Sequence, residues 1–124
     1  MKVKDLNIFD EYATVKDETV LEAAKLMKQK KVPDLVLLGD DGKPKGIISA
    51  EDIAIKIIAE ERDPKAVKVS DIARLVKTFS EDATKDEVYE YMMKSENEIV
   101  PIIKNDGKLL GVCTIGDVAW EDEE

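Results

Sequence analysis

Two short segments place side chains where they can do chemistry. Ser49-Ala50-Glu51-Asp52 and Thr114-Ile115-Gly116-Asp117 each set a hydroxyl three residues before a carboxylate, and each follows a glycine (Gly46, Gly111) and a short apolar run. One carboxylate can accept both donors of a cis-diol in a bidentate arrangement. A hydroxyl at a helix start lies beside free backbone amides suited to an anion. Such a group binds and orients but performs no covalent step. The plainer reading is that both pairs are helix N-caps with an acidic residue in the first turn, each contributing about 1 kcal/mol. Lys56 follows Asp52 by four residues, the spacing that shares a helix face, whereas the same step from Asp117 reaches Glu121 and the run Asp122-Glu123-Glu124. The first pair is therefore expected to be the better site for an anion, and the second to be weak, empty, or suited to an uncharged or cationic group. The alternative for Lys56 is a solvated surface residue.

Composition narrows the classes. The 124 residues are 44% hydrophobic and 38% charged, as expected of a globular chain large enough to bury a core. A net charge of −9 disfavours nucleic acid and anionic lipid. Histidine is absent, which removes the commonest general base and the commonest transition-metal ligand. The single cysteine, Cys113, lies in an apolar run; it forms no internal disulfide and points to a buried strand position in a reducing compartment. No apolar run approaches ~18 residues and no signal-peptide pattern opens the chain, so the expectation is a cytoplasmic protein with no membrane span.

The elements that position these residues come in duplicate. At a shift of 65 residues Thr19 falls on Thr84, Glu22 on Glu87, Met27 on Met92, Asp41-Gly42-Lys43 on Asp106-Gly107-Lys108, Gly46 on Gly111, Ser49 on Thr114 and Asp52 on Asp117. Val3-Lys4-Asp5-Leu6 resembles Val69-Ser70-Asp71-Ile72 at a shift of 66. Thr19…Glu22 and Thr84…Glu87 predict reciprocal capping boxes ahead of helices. The apolar runs 35–38 and 99–103 predict strands, joined through Asp-Gly turns to strands at 46–48 and 109–113. A final helix is expected from Ala50 to about Arg62, and from Ile115 to about Glu121. The fold class is therefore α/β (α+β), two β-α-β-β-α repeats, 1–62 and 63–124, packed sheet to sheet as one integrated module.

This order, with the Val15-Lys-Asp-Glu-Thr19-Val20 start, the Asp-Gly-Lys hairpins and the paired Gly-x-x-[Ser/Thr]-x-x-Asp ends, resembles a tandem cystathionine-β-synthase (CBS) domain pair, or Bateman module, over essentially the whole chain. The resemblance implies pseudo-twofold symmetry and a regulatory, non-enzymatic module that binds adenosine-containing ligands such as AMP, ADP, ATP or S-adenosylmethionine in two clefts. Carried over by position, one cleft uses Gly46, Ser49 and Asp52, with Lys56 toward phosphate, facing Thr78, Phe79 and the stretch from Glu98 through Ile99 to Val100. The other uses Gly111, Thr114 and Asp117, facing Ala13, Thr14 and Asp34 through Leu35 to Val36. The sequence departs from the family pattern at Val36, where the second copy has Pro101, and this bears on the second cleft. Glu98 counts against anionic ligands in the first.

The implied partners are an adenosine-type small molecule, a second copy of the chain as a homodimer, and an effector protein acting in trans. No obligatory cofactor, metal or catalytic residue is expected. The rival expectation is a structural module for oligomerisation or partner docking without nucleotide. Trp120 is expected at an interface, and of Tyr89 and Tyr91, on different helix faces, at least one is expected to be exposed.

Overall fold

The computed structural model of the chain describes residues 2–5, 13–95 and 99–115. The chain divides into two compact units, Tyr12–Leu75 on the one hand and Met1–Glu11 with Val76–Glu124 on the other.

In the first unit β1 (Thr14–Val15) leads into α1 (Val20–Lys30), then β2 (Asp34–Leu38), β3 (Pro44–Ser49) and α2 (Ala50–Ile53). The sheet order is β1-β2-β3, parallel then antiparallel. α3 (Val69–Ile72) completes this unit. The second unit repeats the pattern with β4 (Phe79–Ser80), α4 (Lys85–Ser95), β5 (Ile99–Ile103) and β6 (Leu109–Thr114), in sheet order β4-β5-β6. Each of these strands and the long helix start and stop at the same positions under the 65-residue shift.

Local chemistry explains the match. The Thr19 and Thr84 hydroxyls accept from the Glu22 and Glu87 amides, both at 3.2 Å, and start the helices. The carboxylate half of the expected first box does not form: Glu22 turns instead to Lys25 at 3.7 Å. Val20, Ala23 and Met27 of α1 are buried at helical spacing. In both hairpins the aspartate side chain accepts from the lysine amide two residues on, Asp41 from Lys43 at 3.0 Å and Asp106 from Lys108 at 2.9 Å. The glycine between them takes positive φ, 79° at Gly42 and 86° at Gly107, where a side chain would be strained. β2 and β5 are buried through their middles, as continuous apolar strands should be.

The proline difference has a visible consequence. The Val36 amide donates to the Ala13 carbonyl at 3.0 Å, and β1 pairs Thr14 with Val36. Pro101 has no amide to offer, and Phe79, the counterpart of Thr14, pairs with the next residue along β5, Ile102.

The 66-residue resemblance is also structural. The Val69 amide donates to Glu18 O at 2.8 Å, and the Val3 amide donates to Ala83 O at 2.9 Å. Lys68 bridges Thr19, and Lys2 bridges Thr84. The 3-10 turn Val3–Asp5 thus serves the second unit as α3 serves the first, and Val3 is fully buried in that unit's core beside Val88, Val100 and Ile102.

Two expectations are corrected. The helix after Ser49 is α-helical only to Ile53; Ala54–Ile58 is π-helical, with Ala59 donating to Ala54 O at 2.9 Å and Arg62 to Ile57 O at 2.9 Å. Neither tyrosine of α4 is exposed: both are half-buried against the core, and the Tyr91 ring meets Phe79 edge-on at 5.5 Å. The expected helix from Ile115 to Glu121, and with it Trp120, lies outside the described residues.

Candidate functional site

The β3–α2 junction gathers the chemistry of the first unit. Ser49 ends β3 in extended conformation and caps α2, its hydroxyl accepting from the Asp52 amide at 3.0 Å. Asp52 returns the favour: its Oδ2 accepts from the Ser49 amide at 3.0 Å and from the Ser49 hydroxyl at 2.8 Å. This is a full capping box with aspartate in the glutamate's usual place, so the helix-cap reading of Ser49 and Asp52 holds in the structure.

Two cations close on the same carboxylate. Arg74 Nε donates to Oδ2 at 3.1 Å, and Lys56 Nζ lies 3.5 Å from Oδ1. Lys56 also donates to the Ile72 carbonyl at 3.0 Å, at the C-terminal end of α3, where carbonyls lack a partner within the helix. It is therefore neither a solvated surface lysine nor an unengaged one. The Asp52 side chain keeps only 11% of its exposure, while Lys56 and Arg74 keep 36% and 39%. Burial pushes the Asp52 carboxyl up, but the hydrogen bonds from the Ser49 side chain and amide, followed by Arg74, outweigh it and hold the group below the ordinary 3.8. Two cations thus meet on one carboxylate in a chain whose net charge is −9.

Arg74 is the residue that the sequence reading missed. It reaches Asp52 because the segment after α3 runs beside β3: the Ile47 amide donates to Arg74 O at 2.9 Å, and the Arg74 amide donates to Ile47 O at 2.8 Å. Gly46 makes that approach possible, since a Cβ there would sit 2.8 Å from the Arg74 carbonyl oxygen. A glycine inside a strand was the available signal, because it marks a close backbone approach; nothing local named the approaching residue.

The other predicted residues fall as follows. Thr14 is half-buried in β1, and Leu35 is fully buried in β2 opposite Ile48. Thr78 is half-buried just before β4, and Phe79 is buried, with Lys77 Nζ 4.8 Å above its ring. Ile99 is half-buried and Val100 fully buried in β5; Gly111 is buried in β6, whose last residue, Thr114, is exposed and opposite Ile99. Ser49, Asp52 and Lys56 are brought together within the first unit, with Gly46 beside the strand that delivers Arg74. Asp117, Glu98 and Glu121 lie outside the described residues. Cys113 is fully buried, as its apolar run required. Among the described residues no group of three or more acidic or cysteine side chains is placed to hold a metal ion, and no helix is long and apolar enough to cross a membrane.

Known proteins share this architecture. The chain is 34% identical over 125 residues to the uncharacterized protein YlbB of Bacillus subtilis, covering 98% of this chain and 82% of that one. It is 30% identical over 102 residues to protein MK0525 of Methanopyrus kandleri, and there it spans only about half, 52%, of the relative's length. Among solved structures, the CBS domain protein PAE2072 from Pyrobaculum aerophilum, complexed with AMP, superposes with a TM-score of 0.85 at 22% identity, over 98% of this chain and 92% of that one. The CBS domain pair of protein MJ0100, in complex with 5′-methylthioadenosine and S-adenosyl-L-methionine, superposes with a TM-score of 0.80 at 27% identity, over 96% and 93%. A CBS domain model matches residues 3–59 and again residues 69–123, and on two copies of one β–α–β–β unit this assigns the chain to the CBS domain family.

Proposed function

We propose that the chain is a regulatory, non-catalytic module that binds an adenosine-containing ligand of the AMP, ADP, ATP or S-adenosylmethionine type, using Ser49 and Asp52 toward the ribose. The observation that carries the reading is the corner formed by Asp52, Lys56 and Arg74: a carboxylate held ionised by its hydrogen bonds, flanked by two cations within 3.5 Å. Such a corner offers a diol acceptor and an anion receptor side by side. The AMP and S-adenosyl-L-methionine complexes named above support the ligand class. Gly111, Thr114 and Asp117 form the counterpart half-site of the second repeat; with Glu121 in the position of Lys56 it suits an uncharged or cationic adenosyl group. Thr78, Phe79, Ile99 and Val100, with Thr14 and Leu35, are the remaining contacts of this reading. The two repeats, 1–62 and 63–124, act in it as one regulatory unit, cytoplasmic and homodimeric, whose ligand state is read by an effector in trans. No cofactor is obligatory, and no catalytic step is assigned, since the sequence supplies no histidine and its one thiol is buried.

A second reading, a module for oligomerisation or partner docking without nucleotide, draws on Ile55 and Ile58, which are 55% and 66% exposed on the π-helical stretch. Thermal-shift measurements with AMP, ADP, ATP and S-adenosylmethionine separate the two. Stabilisation by at least one of them that disappears in Asp52→Ala supports the ligand module; none at millimolar concentration leaves the docking module.

A further inference from the structure

We propose that the second unit carries a docking groove for a short Lys-Val-x-Asp segment, and that a second copy of this chain can supply the segment. In the exchanged pair each protomer lends residues 2–5 to the second unit of its partner, and the lent valine completes that unit's core. The exchange needs no nucleotide and is independent of the ligand reading above.

The chain shows this docking twice. In the first unit the groove is Asp17-Glu18-Thr19, at the entrance to α1, and its occupant is Lys68-Val69-Ser70-Asp71. Lys68 bridges Thr19, the Val69 amide donates to Glu18 O at 2.8 Å, and Val69 is fully buried. Ser70 donates its amide and its hydroxyl to the two carboxylate oxygens of Asp17, both at 2.9 Å. In the second unit the groove is Asp82-Ala83-Thr84 and the occupant Lys2-Val3-Lys4-Asp5. Lys2 bridges Thr84, the Val3 amide donates to Ala83 O at 2.9 Å, and Val3 is fully buried. Asp82 meets two lysines, with Lys4 Nζ at 3.1 Å and Lys2 Nζ at 3.5 Å. The shared rule is a valine anchor in the core, a backbone bridge before it, and a donor to the groove aspartate after it. The difference lies at the carboxylate: Asp17 reads a serine, and Asp82 reads cations.

The two segments are tied to their grooves differently. Residues 68–72 dock on the repeat that precedes them, and the chain just before them adds to the hold. The Val20 amide donates to Val67 O at 2.9 Å, and the Leu21 amide to Pro64 O at 3.0 Å. Residues 2–5 dock instead on the later repeat, although the chain leads from them into the earlier one. The same segment of another molecule makes the same anchor, bridge and ion pairs, so exchange changes no contact at the groove. Concentration then decides the balance. A short tether holds its own segment at an effective concentration of about millimolar, and a second copy competes as the protein approaches that figure. The lysines are 53% and 42% exposed, so their pairing with Asp82 gives selectivity more than strength.

The test is charge reversal across the groove. One variant carries Lys2→Glu with Lys4→Glu, and the other carries Asp82→Lys. Each alone is mismatched, and only an exchanged heterodimer of the two is matched at both grooves. Both full-length variants are checked for folding by circular dichroism, then mixed in urea and refolded together so that slow opening does not hide the exchange. Mass is followed by light scattering up to about millimolar protein. The exchange predicts that the mixture dimerises at a concentration roughly tenfold lower than either variant alone, and that high salt removes the difference. A mixture whose mass is the average of its components at every concentration overturns the proposal. So does a heterodimer that forms equally well when both variants also carry Val3→Ala, because the partners then meet elsewhere. AMP binding, or its absence, bears on the ligand reading alone.

Discussion

Asp52 closes the capping box that Ser49 opens at the start of α2, and its one carboxylate anchors two cations. Asp52→Ala removes the carboxylate half of the capping box and leaves Arg74 and Lys56 without that partner. Urea denaturation should show a loss of about 1–3 kcal/mol. The pH dependence follows from the lowered carboxyl. A group held below its ordinary 3.8 in the folded chain stabilises it at pH values above 3.8, and that contribution is lost as pH falls through the folded value. The stability gap between the native protein and Asp52→Asn should therefore be constant from pH 7 to about 5 and shrink below 3.8. A gap that widens on acidification contradicts this assignment. Ser49, Asp52 and Lys56 were legible in the sequence because their relations are local, three and four residues along one helix. Arg74 was not, because it meets Asp52 from 22 residues away along a path that only tertiary structure draws.

Elements show the same division between local and distant causes. The Asp-Gly hairpins, the threonine caps and the buried strands follow from nearest-neighbour chemistry, and they lie where the repeat placed them. The π-helical turn at Ala54–Ile58 was invisible, since widening one turn leaves the apolar pattern of the segment almost unchanged. The parallel register was half legible: Pro101 predicts a lost donor, yet the one-residue displacement of β4 against β5 emerges only when the sheet forms. Two substitutions test this level. Gly46→Ala drives a methyl to within 2.8 Å of the Arg74 carbonyl and should cost about 1–3 kcal/mol in chemical denaturation, displacing the segment that carries Arg74. Lys31 ends α1 with φ of 58°, a left-handed conformation that favours glycine, so Lys31→Gly should raise stability by about 0.5–1 kcal/mol in the same measurement. A loss of stability in Lys31→Gly would mean that its side chain is worth more than the relieved strain.

For the whole molecule, duplication was the most legible fact, and it placed both sheets and both long helices. What it did not reveal is that Val3–Asp5 packs on the unit built from residues after 76, although the 66-residue resemblance contained the clue. Val3→Ala should cost about 2 kcal/mol, and hydrogen exchange should show protection lost first in β5 and β6 and last in β2. The proposed function has this CBS-family chain bind an adenosine-type ligand through Asp52. Its most direct test is titration of AMP against the melting temperature of the native protein and of Asp52→Ala. A native melting temperature that climbs with AMP, beside an Asp52→Ala curve that stays flat, is the predicted result; equal shifts in both proteins, or none in the native protein at millimolar AMP, ATP or S-adenosylmethionine, would contradict it.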